Sequence, residues 1–346
     1  MKYRQLGRTG VWVSEIGLGA MSFGGADHPV FSAIGGLGQA DTDRLVGTAL
    51  DAGVNFIDTA DVYADGESEE LLGRALGKRR RDVVLGTKLL APVGPGPNDQ
   101  GLTRLHIMRS LEDSLRRLGT DHIDLYQIHN WDHVTPLEET LAALDDAVRQ
   151  GKVRYLGASN LAAWQISKAL GLSALNHQSK FVANQINYSL LSRQAEGDLV
   201  PMALEEGVSL TVWQGLMGGF LTGKYERGGK TTEQEARRVQ TGGDFVPFDE
   251  EHGYDVVDVL RVVADRHGVS PARVALAWLL AQPAVTSVIV GARKPAQLTD
   301  NLQAADLTLT EKDLAELDEV SRPAPAYPKW IQDQFNPARI PAGNRA

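Results

Sequence analysis

A closed (β/α)8 barrel, the TIM barrel, is the fold class predicted by this 346-residue sequence, and three observations predict it. Short apolar runs alternate with amphipathic stretches along almost the whole chain. Eight such runs stand at 15–19, 55–58, 83–88, 123–129, 154–158, 181–185, 209–213 and 287–291. Several of them, VVLGTK and SVIVGA included, are apolar at both parities, as strands buried on both faces are. An open doubly wound sheet is the alternative architecture. Against it, Gly17-Leu18-Gly19-Ala20-Met21-Ser22 after the first run fails the G-x-G-x-x-G turn at its last position.

The elements follow in order. Residues 2–13, turning at Gly7 and Gly10, read as a hairpin that caps the barrel bottom. Segment 102–118 carries Leu105, Met108, Leu111, Leu115 and Leu118 at helical spacing. Segment 136–150 opens with Pro136 at the first helical position and stops at Gly151. Ser270 is the expected N-cap of a helix over 272–281. A long polar loop, 215–253, follows the seventh strand. The tail, 321–346, is Pro-rich yet carries Tyr327, Trp330 and Phe335. A disordered tail rarely holds three aromatics, so packing over the barrel mouth or a partner subunit is expected. Residues 1–346 together read as one domain.

Composition narrows the function. A net charge of −9 argues against nucleic acid or an anionic membrane as partner. The absence of cysteine excludes disulfides, thiolate zinc sites and cysteine nucleophiles. The first residues carry no long apolar run, which points to a cytoplasmic protein. His129 and His133 are four apart, but His129 ends a strand and no H-E-x-x-H occurs, so no metal is expected.

In such a barrel, polar residues at C-terminal strand ends face the active site. Strand two ends at Asp58, with Tyr63 in the loop behind it; strand three ends in Thr87-Lys88; strand four ends in His129. Singly, an Asp there caps a helix, a Tyr packs and a Lys is solvated. On three consecutive strand ends they suit carbonyl reduction, in which hydride reaches carbon and the oxygen needs a proton. Tyr63 is the proton donor, and a Lys ammonium about 4 Å away attracts its phenolate by roughly 4 kcal/mol at an effective dielectric of about 20. That attraction is expected to bring the phenol from about 10 toward the useful range. Asp58 keeps Lys88 charged, and His129 orients the substrate oxygen.

With these residues in view, the sequence resembles the aldo-keto reductases. The resemblance is carried by GVNFIDTADVYADGESEELLGRAL, VVLGTK, SLEDSLRRLGTDHIDLYQIH, GKVRYLGASN, QINYSLL, GGFLTGKY, SPARVALAWLL and VIVGARKPAQLTDNLQA. It implies a catalytic tetrad of Asp58, Tyr63, Lys88 and His129 and a nicotinamide cofactor, NADP(H), with NAD(H) the weaker alternative. It implies that Ser159, Asn160 and Gln185 hold the carboxamide and that Trp213 stacks on the nicotinamide. Gly291, Arg293, Gln297 and Asn301 then take the adenosine phosphate end, where a helix N-terminus and a planar guanidinium suit phosphate. Arg293, Gln297 and Asn301 stand at i, i+4 and i+8, one helix face.

GGFLTGKY approaches the G-x-x-x-x-G-K-[ST] pattern of a nucleoside triphosphate loop, but Tyr225 stands where the magnesium-binding hydroxyl belongs. It reads instead as a pyrophosphate loop, with Gln214, Gly215, Leu216, Gly218 and Lys224 along the cofactor. Met217, where some relatives carry Lys, weakens the NADPH preference. Met21, Phe23, Asn130, Trp131 and Trp330 are the expected substrate walls, apolar enough for a bulky hydrophobic carbonyl or alcohol. The resemblance also covers potassium-channel β subunits, so a regulatory subunit that senses nicotinamide redox state is the alternative. Relatives include monomers and larger rings, which leaves a homo-oligomer open.

Overall fold

Eight parallel strands close into a barrel. The computed structural model describes residues 1–228, 230–231 and 245–335; the expectations for 229, 232–244 and 336–346, in the long loop and the tail, lie outside the described residues. Two short strands come first, β1 (Tyr3–Gln5) and β2 (Trp12–Ser14), paired antiparallel as the expected hairpin. The barrel is β3 (Ile16–Gly19), β4 (Phe56–Asp58), β5 (Val84–Leu89), β6 (Ile123–Ile128), β7 (Val153–Ser159), β8 (Phe181–Asn187), β9 (Ser209–Trp213) and a last strand, Val285–Val290. A minor ribbon, β10 (Tyr225–Glu226) with β11 (Lys230–Thr231), precedes that last strand, β12, which pairs with both β9 and β3.

The hairpin plugs the N-terminal end of the barrel. Leu6 and Val13 are fully buried there against Phe56, Leu125 and Ala183. Burying each contributes roughly 1.5–3 kcal/mol. Arg4 donates to the carbonyls of Val285 and Leu280 at 2.6 Å each, and the Gly7 N–H to Ser209 Oγ at 2.6 Å. Gly7 has φ +57°, and a Cβ there would stand 2.6 Å from the Val182 carbonyl oxygen, so the approach requires glycine.

Strand parity then stacks the interior. Above Phe56, Leu125 and Ala183 come Asp58, Gln127 and Gln185, two residues further along the same strands. The hairpin layer is apolar and the next is polar, because that next layer opens toward the C-terminal ends.

The helices begin and end close to expectation. Counting in chain order, α1 is Phe31–Ile34, α2 Gln39–Asp51, α3 Glu67–Leu76 and α4 Arg104–Leu118. Thr103 caps α4, accepting from the His106 N–H at 3.2 Å, so that helix starts two residues later than its apolar spacing suggested. In α5 (Leu137–Arg149) Pro136 is the cap residue rather than the first helical one. Then come α6 (Ala163–Leu175), α7 (Leu199–Glu206), α8 (Glu250–His267) and α9 (Pro271–Leu280), the last with Ser270 as its N-cap as expected. The segment 215–253 is not loop throughout: a 3-10 turn spans Met217–Thr222, and α8 has begun by 250 because Asp249 caps it.

After α10 (Pro295–Leu302) and α11 (Glu311–Ser321), the tail forms a short helix, α12 (Lys329–Phe335), none of whose residues is buried. Tyr327, Trp330 and Phe335 stay 77%, 46% and 63% exposed. Their aromatic content predicted cover over the mouth or a partner subunit; the described tail, with Pro323, Pro325 and Pro328, is not buried against this chain's own core.

Candidate active site

Four side chains that are 71 residues apart at most in sequence meet above the polar layer. Lys88 and Asp58 form an ion pair, with both side chains buried. Lys88 Nζ also donates to the Thr59 carbonyl at 2.8 Å and reaches Tyr63 Oη at 3.4 Å. Asp58 Oδ1 accepts from Gln127 Nε2 at 2.9 Å and Gln185 Nε2 at 3.0 Å. The carboxylate is therefore answered on both oxygens, which is what makes a buried charge tolerable. Room for this network comes from small residues. A Cβ at Gly157 would stand 2.8 Å from Gln127 Cγ, and one at Gly86 3.3 Å from both Asp58 Oδ1 and Gln127 Nε2.

Tyr63 and His129 face each other edge to face, ring centroids 5.9 Å apart. Burial pushes the Lys88 ammonium down, but Asp58 and Tyr63 outweigh it and hold the amine charged, above its usual value. Burial also pushes the Tyr63 phenol up; Lys88 pulls it down, and the Asp58 and Asp61 charges oppose Lys88. This corrects the expectation that Lys88 would bring Tyr63 down: Lys88 is already neutralised by Asp58, and desolvation penalises the phenolate. His129 is pushed down to about 3, by burial and then by the Lys88 charge. Its ring is neutral at working pH, and its buried Nδ1 has no partner among the described residues.

The residues expected around a nicotinamide lie on the next strand ends. Ser159 Oγ donates to the Gln185 carbonyl at 3.1 Å. Asn160, with φ +59°, bridges two strands: its Nδ2 donates to the His129 carbonyl and its Oδ1 accepts from Trp213 Nε1, both at 3.0 Å. That bond fixes the half-exposed Trp213 ring. The loop behind it takes left-handed backbone at Gln214, Met217, Gly218 and Gly219, with φ of 62°, 47°, 62° and 93°. Around Gly218 a Cβ would meet no described residue closer than 3.9 Å. The Gln214 side chain accepts the Gly218 N–H, and Gly219 N–H goes to the Leu216 carbonyl at 2.9 Å. Those donors are thus engaged within the loop rather than open, a correction to the simple picture of a glycine cradle. Gly215 is closed against Leu279, and Lys224 lies over the Tyr225 ring, its Nζ 5.6 Å from the centroid. Met217 is 4% exposed and sits in the core, so its side chain does not face the rim.

At the end of β12, Gly291 leads to Arg293, which precedes α10 by two residues instead of starting its face; Pro295 opens the helix later than the i, i+4 pattern implied. The Arg293 N–H donates to Gln297 Oε1 at 3.2 Å, and Asn301 is buried, 7% exposed. A fixed flat ring, bare left-handed backbone and a half-exposed guanidinium follow one another along the paired β9 and β12. These groups fit an extended dinucleotide.

The expected substrate walls separate into two sets. Met21 is half-buried and Asn130 exposed, its Oδ1 accepting from the Trp131 N–H at 2.8 Å. Trp131 packs against the exposed Trp164, centroids 5.6 Å apart. Phe23 is fully buried in the core and presents no wall, because its backbone bridge to Leu37 turns it inward. Trp330 lies on the exposed tail helix. Two aromatics that sequence reasoning missed stand at the rim instead: Phe31, 6.1 Å from the Tyr63 ring, and Phe245, 6.1 Å from Trp213.

Residues 15–322 match the model of the Aldo/keto reductase family. This chain belongs to that family. It is 37% identical over 336 residues to the uncharacterized oxidoreductase YrpG of Bacillus subtilis, covering 92% of this chain and 96% of that protein. It is 37% identical to a probable voltage-gated potassium channel subunit beta of Oryza sativa, over 89% of this chain and 92% of that one. It is 33% identical to an NADP(+) aryl-alcohol dehydrogenase of Phanerodontia chrysosporium, over 90% and 84%. Aldo/keto reductases are oxidoreductases that generally use NAD(P)H and act on small carbonyl compounds. No helix among the described residues of this aldo/keto reductase is long and apolar enough to cross a membrane.

Gln127 is the site residue of this reductase that the sequence reading passed over. Its signal was available: a polar side chain two residues before His129, inside the apolar run 123–129. Phe31 had none, since only the fold of the 24–36 segment carries it to Tyr63.

Proposed function

We propose that this reductase is an NADPH-dependent carbonyl reductase, reversible as a secondary-alcohol dehydrogenase, for aldehydes or ketones with bulky hydrophobic groups. The observation that carries the reading is the convergence of Tyr63 Oη, the Lys88 ammonium and the neutral His129 ring over a buried Asp58. The nicotinamide, when bound, supplies the hydride. Tyr63 gives its proton to the carbonyl oxygen, and a phenol held above its usual value stays protonated for that task. Lys88 stabilises the phenolate left behind, while Asp58, itself held by Gln127 and Gln185, keeps Lys88 in place. His129, with no proton to spare for charge, orients the substrate oxygen by a hydrogen bond.

Ser159, Asn160 and Gln185 would hold the carboxamide, with Trp213 under the ring. Gln214, Gly215, Leu216, Gly218 and Lys224 would line the pyrophosphate, and Gly291, Arg293, Gln297 and Asn301 the adenosine end. Arg293 favours NADPH. Since Met217 is buried, its neutrality neither adds to nor subtracts from that preference. The rim of Phe31, Trp131, Trp213 and Phe245 supports aromatic carbonyls.

The test follows NADPH oxidation over a panel of aliphatic, aromatic and sugar carbonyls, beside Tyr63→Phe. Aromatic substrates are expected to lead, and the variant to be inactive; normal turnover by Tyr63→Phe would overturn the mechanism. A kcat/KM favouring NADH would overturn the cofactor choice. The likeness to channel β subunits supports a second reading, a redox-sensing subunit; turnover too slow to measure on every carbonyl would favour it.

A further inference from the structure

Behind the four converging residues lies a second buried polar cluster. Asp61 and Glu69 are 1% and 0% exposed. Glu69 on α3 is fully answered: it accepts from Thr87 Oγ1 at 2.6 Å and pairs with Arg117 Nε of α4 at 2.7 Å. Asp61 is not. Its Oδ2 accepts one bond, from Ser110 Oγ at 2.9 Å, and its Oδ1 has no partner among the described residues. Arg117 is committed to Glu69, and Lys88 to Asp58. From β6 the buried Tyr126 hydroxyl, also without a partner among the described residues, completes the surroundings. The one guanidinium of the cluster thus pairs with Glu69, and the unanswered Asp61 is wired to the site. The Asp61 N–H donates to the Lys88 carbonyl at 3.0 Å, and Tyr63 follows two residues later.

From this arrangement we infer that Asp61 is a positioning residue whose charge sets how readily Tyr63 gives up its proton. The inference rests on Tyr63 being the proton donor. Burial, then the Glu69 charge, pushes Asp61 up to about 7, with Ser110 and Arg117 pulling the other way. It therefore titrates where the enzyme works. Below that point Asp61 is neutral, and Tyr63 answers to Lys88 and Asp58. Above it a second negative charge opposes the phenolate, and Tyr63 keeps its proton to higher pH. Reduction, which needs the phenol, then extends further into alkali.

Asp61→Asn keeps the shape and removes the charge. In pH profiles of kcat/KM, the Tyr63 inflection is expected to move to lower pH by about half to one unit in both reaction directions. A merely structural Asp61 would change rate or Tm and leave the inflection where it was, and that outcome overturns the inference. Should the variant fail to fold, Asp61→Ser removes the same charge with a smaller polar side chain and is expected to move the inflection the same way; no movement is again contrary. Infrared difference spectra of the wild type against the variant, taken without substrate, are expected to show a protonated carboxyl band that fades above neutral pH. Its absence below neutral pH also overturns the inference. That measurement stands apart from turnover, so a fully active Tyr63→Phe would sink the role of Tyr63 and leave the titration of Asp61 readable.

Discussion

The floor of the site and its rim are built on opposite terms. On the floor, Asp58, Lys88, Gln127 and Gln185 are buried and joined to one another by side-chain hydrogen bonds. At the rim, Trp131, Trp164, Trp213 and Phe245 touch mainly in pairs and stay wholly or partly exposed. A buried network built around one ion pair has one low-energy arrangement, since moving a member away from Asp58 or Lys88 strands a charge. An exposed aromatic edge can change shape at small cost. The proposed chemistry therefore resides where the protein is least tolerant, and substrate choice where it is most tolerant.

Substitutions test that contrast. The largest effect is expected from Tyr63→Phe, a loss of about 10²–10⁴-fold in kcat with cofactor binding kept, measured by turnover and by fluorescence titration. Next, Asp58→Asn strands the Lys88 ammonium, and a loss of about 3–5 kcal/mol in urea unfolding is expected. Gly157→Ala comes third: its Cβ would stand 2.8 Å from Gln127 Cγ, and about 1–3 kcal/mol of stability should go, with a fall in rate as Gln127 is pushed from Asp58. If Gly157→Ala were silent, the floor would be softer than the contrast requires. Trp131→Ala at the rim should raise KM for aromatic carbonyls by up to about tenfold, with kcat nearly unchanged. A collapse in its kcat would mean that the rim shares in the chemistry.

The smallest effect at neutral pH concerns His129. Its value in the fold, about 3, lies below the ordinary 6.5. Its neutral form thus contributes stability that is present above 6.5 and is lost as pH falls toward 3. His129→Gln should flatten that acid segment of the Tm profile and leave Tm unchanged in mild alkali. No His129 inflection should appear in rate profiles between about pH 5 and 8.

Much of this was legible in the residues themselves. The strands could be read because both parities are apolar, and Asp58, Lys88 and His129 because each stands at a strand end that the barrel turns toward one face. The misreadings share one cause. Phe23 was read as a substrate wall and Met217 as a loop residue that weakens the NADPH preference, yet both are buried, since a local pattern does not say which way a loop folds back. Arg293 was read onto a helix that starts two residues later. Tyr63 was expected to be lowered by Lys88, because the pair interaction can be guessed from residue types while desolvation cannot.

By itself the sequence determined the barrel, its capping hairpin, the order of its strands and the three candidate residues at or beside their ends, Asp58, Lys88 and His129, because periodicity and strand parity are local properties. Only the tertiary structure decided that Gln127 and Gln185 answer Asp58, that Phe31 reaches Tyr63, that Arg117 serves Glu69 and leaves Asp61 unanswered, and that the tail aromatics are not buried against the barrel. Each of these depends on burial and on distances between segments far apart in the chain, and both are set only when the barrel closes.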